Sequence, residues 1–287
     1  MPWYLLALAG AALDAAYYAL IKKYLGSVRP YILGAGVFLS AGIMLCAVSI
    51  IRGIPAIGPD FYWGVLATGV LNIIAILLYF KALRTTDISL ALPMISFTPV
   101  FLIFTSYLVL HEIPSPVGIA GIIFVVIGSY ILNMQKNAPL LEPFRQMFKN
   151  KGIFYMLIVA FLYSSSIFDK VVILNSDTLF GTGVTTLVIG SSFLALSLFQ
   201  YKGVMQELKL GLPRFLLPAI VTFFIALTVN KALTMNLVAY VISIKRLSVL
   251  FAVLIGGLIF KENHLAKRLA GAAIMVAGMA MIVIFDN

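Results

Sequence analysis

The sequence predicts an all-α membrane protein whose ten transmembrane helices form two inverted five-helix repeats. Three observations predict this fold class: an apolar composition, ten apolar segments of membrane-spanning length, and a match of the chain to itself at a constant shift. Hydrophobic residues occupy 62% of the 287 positions and charged residues only 10%. Because so few polar residues cannot cover a soluble protein of this length, we expect lipid to surround the chain.

The apolar segments are separated by short polar stretches, and each is close to the roughly 20 residues that cross about 30 Å of hydrocarbon. The first segment contains Asp14 and lacks a basic region before it, so we interpret it as a helix and not as a signal peptide. Predicted helices 1 to 10 lie at 3–21, 31–51, 61–83, 88–109, 116–134, 152–173, 179–200, 213–234, 238–260 and 267–285.

Positive charge is distributed unevenly between the loops. With the amino terminus outside, 15 of the 20 Lys and Arg residues fall in inward loops or helix ends, and 3 fall in outward ones. The remaining two, Lys245 and Arg246, lie inside predicted helix 9. Since Lys and Arg concentrate on the cytoplasmic side, we expect a multi-pass protein of the cell (inner) membrane with both termini outside. This bias accounts for the net charge of +10 without a nucleic-acid partner.

The chain matches itself at a shift of 150 residues, with no gap. Each matched half contains five predicted helices, and this odd number reverses the orientation of the second half in the membrane. We predict a first repeat at 1–135, a cytoplasmic linker at 136–151 and a second repeat at 152–287. The paired positions include Lys81/Lys231, Glu112/Glu262, Gly121/Gly271 and Gly128/Gly278.

Several motifs accompany the repeat: FKAL before helix 4, two prolines in LPMISFTPVF, a glutamate after helices 4 and 9, and glycine-rich helices 5 and 10. Together with the five-plus-five organisation, they resemble EamA-type members of the drug/metabolite transporter superfamily. The resemblance implies a carrier that works by alternating access around a central cavity lined by helices 1, 3, 4, 6, 8 and 9. It implies no single substrate, because members carry amino acids, sugars, phosphorylated metabolites and cationic drugs.

Lys245 and Arg246 are adjacent cations within an otherwise apolar span. Each such residue costs roughly 2.5–3.5 kcal/mol at mid-membrane on insertion scales, so we expect both to face the protein interior or a wet cavity. The planar guanidinium of Arg246 next to the ammonium of Lys245 predicts a binding site for phosphate or carboxylate. The dyad is also similar to the helix-9 pair of plastid sugar-phosphate translocators, although the first repeat has Ile95 and Ser96 at the related positions.

Asp14 is interpreted as the one carboxylate deep in an apolar span. In one interpretation it neutralises Lys245 or Arg246 and ties helix 1 to helix 9. In the other it carries a coupling proton, because its position is similar to that of the proton-coupling carboxylate of the small multidrug transporters. The sequence leaves both interpretations open.

Polar and aromatic residues on the predicted cavity helices complete the predicted substrate site. Each alone is a weak indication, because Ser and Thr in membrane helices often bond to their own backbone or to a neighbouring helix. These residues are Tyr17, Asn72, Tyr79, Ser96, Thr98, Tyr163, Ser166, Thr222 and Ser243.

Motifs of hydrolytic or metal chemistry are missing from the sequence, which contains no HExxH, GxSxG or CxxC, and both His111 and His264 fall in predicted turns. We therefore expect a protein that is not an enzyme and has no cofactor or metal.

The predicted function is secondary-active transport of a small organic metabolite, anionic through a phosphate or a carboxylate. The alternatives are an EamA-like exporter of amino acids or related metabolites and a proton-coupled multidrug exporter that uses Asp14. The expected partners are a small-molecule substrate, the lipid bilayer, and either protons or a counter-substrate. We expect a monomer or a weak dimer.

Overall fold

A computed structural model of the protein describes residues 1–25, 27–86, 91–133, 139, 141–252 and 265–285. All regular secondary structure in these ranges is helical. Helices satisfy their own backbone hydrogen bonds, which lipid cannot do for them. Glu262 and His264, together with parts of predicted helices 4 and 9 and of the linker, lie outside the described residues.

The first half of the chain contains five helices. Pro30 and Pro116 stand at the first positions of the second and fifth, where a missing backbone N–H costs nothing. The fourth begins within a 3-10 stretch at Leu92–Phe97, from Pro93 onward, and it becomes α-helical from Thr98. The helices are α1 Trp3–Leu25, α2 Pro30–Arg52, α3 Phe61–Thr85, α4 Pro93–Leu110 and α5 Pro116–Asn133.

The second half follows a short linker helix at Glu142–Met147. Asn150 accepts a hydrogen bond from Gly152 N at 2.9 Å and caps the helix that begins at Lys151. Asp177 accepts one from Phe180 N at 2.6 Å and caps the helix that begins at Thr178. The helices are α6 Lys151–Leu174, α7 Thr178–Gln200, α8 Val204–Leu233, α9 Val238–Lys245 and α10 Leu265–Ile284.

Three of these helices change their hydrogen-bonding pattern inside the chain's apolar segments. α6 contains a 3-10 turn at Tyr163–Ser165, α8 contains a π-helical turn at Ala226–Asn230, and α4 contains its opening 3-10 stretch. Such irregular turns often occur at functional positions of helices, because they redirect the side chains that follow them.

Seven described helices are long and apolar enough to cross a bilayer: α1, α2, α3, α4, α6, α7 and α8. Shorter apolar helices occur at Pro116–Leu132 and Ala270–Ile284. The expectation of an all-α, multi-pass membrane protein is therefore confirmed for the described residues. The described helices do not establish the finer prediction that the chain crosses the membrane ten times.

α2 and α7 pack against each other in antiparallel orientation. A Cβ atom added at Gly34 would meet Phe193, whereas one added at Gly42, further along α2, would meet Leu187. A Cβ atom at Gly190 of α7 would lie 2.7 Å from Leu39 N. Glycines on both helices therefore allow close backbone approach, the main source of helix association in a bilayer.

α5 and α10 form a second antiparallel pair with closer backbone contact. A Cβ atom added at Gly121 would lie 2.8 Å from Gly278 O, and one added at Gly128 would lie 2.5 Å from Gly271 O. A Cβ atom added at Gly278 would lie 2.6 Å from Gly121 O, and one added at Gly271 would lie 3.0 Å from Gly128 O. The four glycines therefore meet reciprocally across the interface.

The remaining helices surround the residues predicted to bind substrate. α3 packs against α6, and α1 packs against both α8 and α9. The opening turn of α4 also contacts α6. This packing brings α1, α3, α6 and α9 to one region.

Candidate functional site

Lys245 and Arg246 stand where the regular hydrogen bonding of α9 ends. Arg246 N donates to Ile242 O and Ser243 O at 3.0 and 3.1 Å, and Leu247 N donates to Ile244 O at 2.9 Å. The backbone therefore tightens into a 3-10-type turn at the dyad. Residues 238–244 are buried, whereas the side chain of Lys245 remains 31% exposed.

Asp14 of α1 lies beside Lys245. Lys245 Nζ is 3.9 Å from Asp14 Oδ1, and Asp14 is 8% exposed. This distance is an ion-pair contact and is too long for a hydrogen bond. The pair joins α1 to α9, and it leaves the ammonium of Lys245 free to approach another acceptor.

Arg246 has different surroundings. Its Nε atom is buried and has no hydrogen-bond partner among the described residues, where the ion pairs do not include Arg246. Its guanidinium interacts electrostatically with Tyr18 of α1 and Tyr163 of α6. A buried N–H without an acceptor is costly, so an oxygen acceptor supplied by a ligand would be stabilised here.

Asp169 is a second carboxylate of the site, and the sequence reasoning missed it. The interpretation of Asp14 as the one carboxylate deep in an apolar span is wrong, because Asp169 lies within α6 and is partly buried. Thr68 Oγ1 of α3 donates to Asp169 Oδ1 at 2.8 Å, and Lys245 interacts with Asp169 electrostatically. The spacing of Tyr163, Ser166 and Asp169, three residues apart, could have placed them on one helix face.

Asn72 links α3 to α6 next to this carboxylate. Its Nδ2 atom donates to Thr68 O at 2.8 Å and to Ser165 Oγ at 3.3 Å. The Oγ atom of Ser166 is buried and has no hydrogen-bond partner in the described part of the chain. Asn72 thus orients the α3–α6 side of the site, while Ser166 supplies a buried hydroxyl near it.

Three tyrosines predicted for the site cluster on its α1, α3 and α6 sides. Tyr17 interacts electrostatically with Asp14 and Tyr163, and Tyr163 interacts with Tyr79. Their rings provide an amphipathic wall, with apolar faces and a hydroxyl at the tip.

The remaining predicted residues bond within the helical scaffold. Ser96 Oγ and Ser129 Oγ share a 2.9 Å hydrogen bond, and Ser243 Oγ donates to Ala239 O at 2.6 Å. Thr98 and Thr222 donate to Ile95 O and Pro218 O, both at 2.9 Å. The structure does not bring these four side chains into contact with Lys245 or Arg246 in any described hydrogen bond.

Among the described residues, the site combines two cations with two carboxylates. Lys245 and Arg246 come from α9, Asp14 comes from α1 and Asp169 comes from α6. The formal charges cancel, so the cluster is neutral and polar inside an apolar helical protein. This balance suits a ligand with both acidic and basic groups, or one that displaces an internal ion pair.

The EamA-like transporter family model matches residues 1–134. The first half of the chain is similar to this family, which confirms the predicted resemblance. The match supports a multi-pass membrane transport protein of the drug/metabolite transporter type. A search of curated protein sequences finds no match.

Solved structures share this helical fold over nearly the whole chain. A total of 29 chains match, among them a crystal structure with a TM-score of 0.73 and 17% sequence identity. That alignment covers 99% of this chain and 97% of the other. At this identity the likeness shows the fold alone.

The EamA-like region supplies only part of the site. Asp14, Tyr17, Asn72 and Tyr79 lie within it, together with Thr68. Lys245, Arg246, Asp169 and Tyr163 lie beyond it, in the second half of the chain. Both halves therefore contribute charged residues to the site.

Proposed function

We propose that this EamA-like protein is a secondary-active transporter of a small carboxylate-bearing metabolite, and that Arg246 binds the carboxylate. The buried Nε atom of Arg246, which lacks an acceptor among the described residues, is the observation that carries this proposal. A guanidinium presents two parallel N–H donors that match the two oxygens of a carboxylate. The neighbouring Lys245 is already beside Asp14 at 3.9 Å.

The charge of the cluster favours a zwitterion or a monoanion over a phosphate dianion. Asp14 and Asp169 offset Lys245 and Arg246, so a doubly charged anion would leave the interior strongly negative. A metabolite of the amino-acid type places its own carboxylate at Arg246 and its ammonium beside the protein carboxylates Asp14 and Asp169. A phosphorylated substrate remains the second candidate, since a Lys-Arg dyad can bind phosphate when Lys245 leaves Asp14.

We propose that the two halves are inverted repeats of five membrane-spanning helices each, and that they rock by alternating access. The reciprocal glycine contacts of α5 with α10 support this arrangement, because Gly121 meets Gly278 and Gly128 meets Gly271. Reciprocal contacts between the equivalent helices of two repeats are typical of repeats that a two-fold axis in the membrane plane relates.

Asp14 offers a second proposal for coupling. A carboxylate paired with Lys245 at the site can exchange a proton when substrate displaces the ammonium. In proteoliposomes with an imposed pH gradient, Asp14→Asn then abolishes gradient-driven uptake and retains exchange of unlabelled for labelled substrate. Unchanged gradient-driven uptake in this variant excludes the proton role.

The proposed substrate class is tested by measuring thermal stabilisation of the purified protein and uptake into proteoliposomes. The ligand panel contains leucine, 4-methylpentanoate, glucose 6-phosphate and tetraphenylphosphonium. We expect stabilisation and uptake with leucine or 4-methylpentanoate, and loss of both in Arg246→Gln. Stabilisation by tetraphenylphosphonium alone contradicts an anion-binding role for Arg246.

A further inference from the structure

A buried ion pair joins α4 to α6 at the end of the molecule that carries the amino terminus. Glu112 follows α4, and Lys170 lies in α6. Lys170 Nζ donates to Glu112 Oε1 at 2.6 Å, and the two side chains are only 11% and 9% exposed. The pair is long-range, because it joins residues 58 positions apart in the sequence.

The same two side chains also hold the beginning of α9. Glu112 Oε2 accepts from Val238 N at 2.9 Å, and Lys170 Nζ donates to Asn236 O at 2.7 Å. Val238 is the first residue of α9, so Glu112 satisfies one of its unpaired N–H groups and places negative charge at the positive helix end. One carboxylate therefore binds two elements at once.

Tyr240 closes the same end from the next positions of α9. Its hydroxyl accepts from Ser115 N at 2.9 Å, in the turn between α4 and α5, and its ring stacks on Trp3 of α1 at 6.4 Å. Gly118 leaves room for that hydroxyl, because an added Cβ would clash with it. We call Glu112, Lys170, Val238, Tyr240 and Ser115 the amino-terminal latch.

We infer that the amino-terminal latch is the gate of the transport pathway at this end, closed in the present structure and opened during the transport cycle. The inference rests on alternating access, as proposed above. Val238 and Lys245 are the first and last residues of α9, about 10 Å apart along the helix axis. A movement of the dyad on substrate binding therefore reaches the latch through one short rigid helix.

The chemistry of the latch suits a contact that breaks and re-forms. A buried ion pair stabilises a protein no more than a well-packed apolar pair of similar volume, and its best-attested use is to specify or switch an arrangement. Lys170 and Glu112 become hydrated when the gate opens, which lowers the cost of separating them. A fixed apolar contact would expose hydrocarbon at the same step.

The gate is tested with a single reporter cysteine. Ser166→Cys is introduced in a Cys46→Ser background, because Cys46 is the one natural cysteine. Ser166 lies one helical turn before Lys170 on α6, with its Oγ atom buried. A membrane-impermeant maleimide is applied to intact cells and to inverted vesicles, so that the labelling rate from each side of the membrane is measured separately.

Glu112→Gln and Lys170→Met are expected to raise the labelling rate from the amino-terminal side by about tenfold or more, since removing one partner of a buried pair strongly disfavours the closed form. The charge swap Glu112→Lys with Lys170→Glu is expected to reverse this increase only in part. The swap rebuilds the ion pair but places no acceptor from position 112 at Val238 N.

Glu207→Gln is the matched control, because Glu207 pairs with Arg29 at the opposite end of the molecule. This variant is expected to leave labelling from the amino-terminal side unchanged. An unchanged rate in both Glu112→Gln and Lys170→Met overturns the inference, as does an equal rise from both sides. Labelling needs no substrate, so failure of the proposed carboxylate transport is detected separately from failure of the gate.

Discussion

Lys245 and Arg246 are neighbours in sequence but have different electrostatic surroundings. Lys245 lies beside Asp14 and interacts with Asp169, whereas the buried Nε atom of Arg246 lacks an acceptor in the described part of the chain. Consecutive residues of a helix diverge by about 100°, so two adjacent cations face different neighbours. This difference is the reason that we propose ion pairing for Lys245 and substrate binding for Arg246.

Arg246→Lys is expected to lower carboxylate uptake by about tenfold or more, because lysine keeps the charge but lacks the planar fork of two donors. Arg246→Gln is expected to lower it further. The initial uptake rate in proteoliposomes is the measurement, and Lys23→Gln, at an exposed position near the end of α1, is the control. Uptake by Arg246→Lys at the wild-type rate contradicts bidentate binding.

Asp14 and Lys245 are expected to be energetically coupled. Asp14→Asn leaves Lys245 without its partner and is expected to cost about 1 kcal/mol or more of unfolding free energy, and Lys245→Gln a similar amount. The double variant is expected to be more stable than the sum of the single effects predicts. Thermal unfolding in detergent measures the stability of the wild-type protein, the two single variants and the double variant. Strictly additive effects of the two substitutions exclude a stabilising contact between Asp14 and Lys245.

At the scale of the elements, hydropathy predicts where helices lie but not where they break. The predicted spans overlap the observed helices, because membrane partition depends on the summed apolarity of local residues. Hydropathy does not predict the 3-10 turn at Tyr163–Ser165 or the π-helical turn at Ala226–Asn230. Both depend on backbone hydrogen-bond register, which neighbouring helices select.

Gly128→Ala is expected to destabilise the α5–α10 interface by about 1–3 kcal/mol, the usual cost of overpacking a well-packed contact. The added Cβ would lie 2.5 Å from Gly271 O, a backbone atom that cannot rotate away. Gly278→Ala, with a Cβ 2.6 Å from Gly121 O, is expected to behave alike.

The midpoint of thermal unfolding in detergent measures both effects. Val276→Ala, at a half-exposed position of α10, is the control and is expected to change the midpoint little. A midpoint of Gly128→Ala equal to that of the control contradicts close packing here.

At the scale of the whole molecule, loop charge predicts the orientation of the chain in the membrane. Lys170 is one of the three basic residues that the predicted topology assigns to the outward side, but it is buried in α6 and paired with Glu112, so it does not contribute to that charge balance. Removing it leaves a larger excess of positive charge on the inward side. The predicted orientation therefore does not depend on this residue.

Both termini are expected on the outer side of the cell membrane. Alkaline phosphatase fused after Asn287, which is active only outside the cytoplasm, is expected to be active in intact cells. Green fluorescent protein at the same position is expected to remain dark. Fluorescence with this fusion reverses the predicted orientation.

The sequence by itself determined the membrane class and the approximate spans, because both follow from local composition, and it predicts the internal repeat by residue-by-residue matching. It also singled out Asp14, Lys245 and Arg246, since charge in an apolar span is costly wherever the chain folds. Tertiary structure alone decided which charges meet. The packing of α3 on α6 brings Asp169 to Thr68, and Ser96 and Ser243 bond within the helical scaffold. Such pairings depend on distances between helices, which no local property of the sequence encodes.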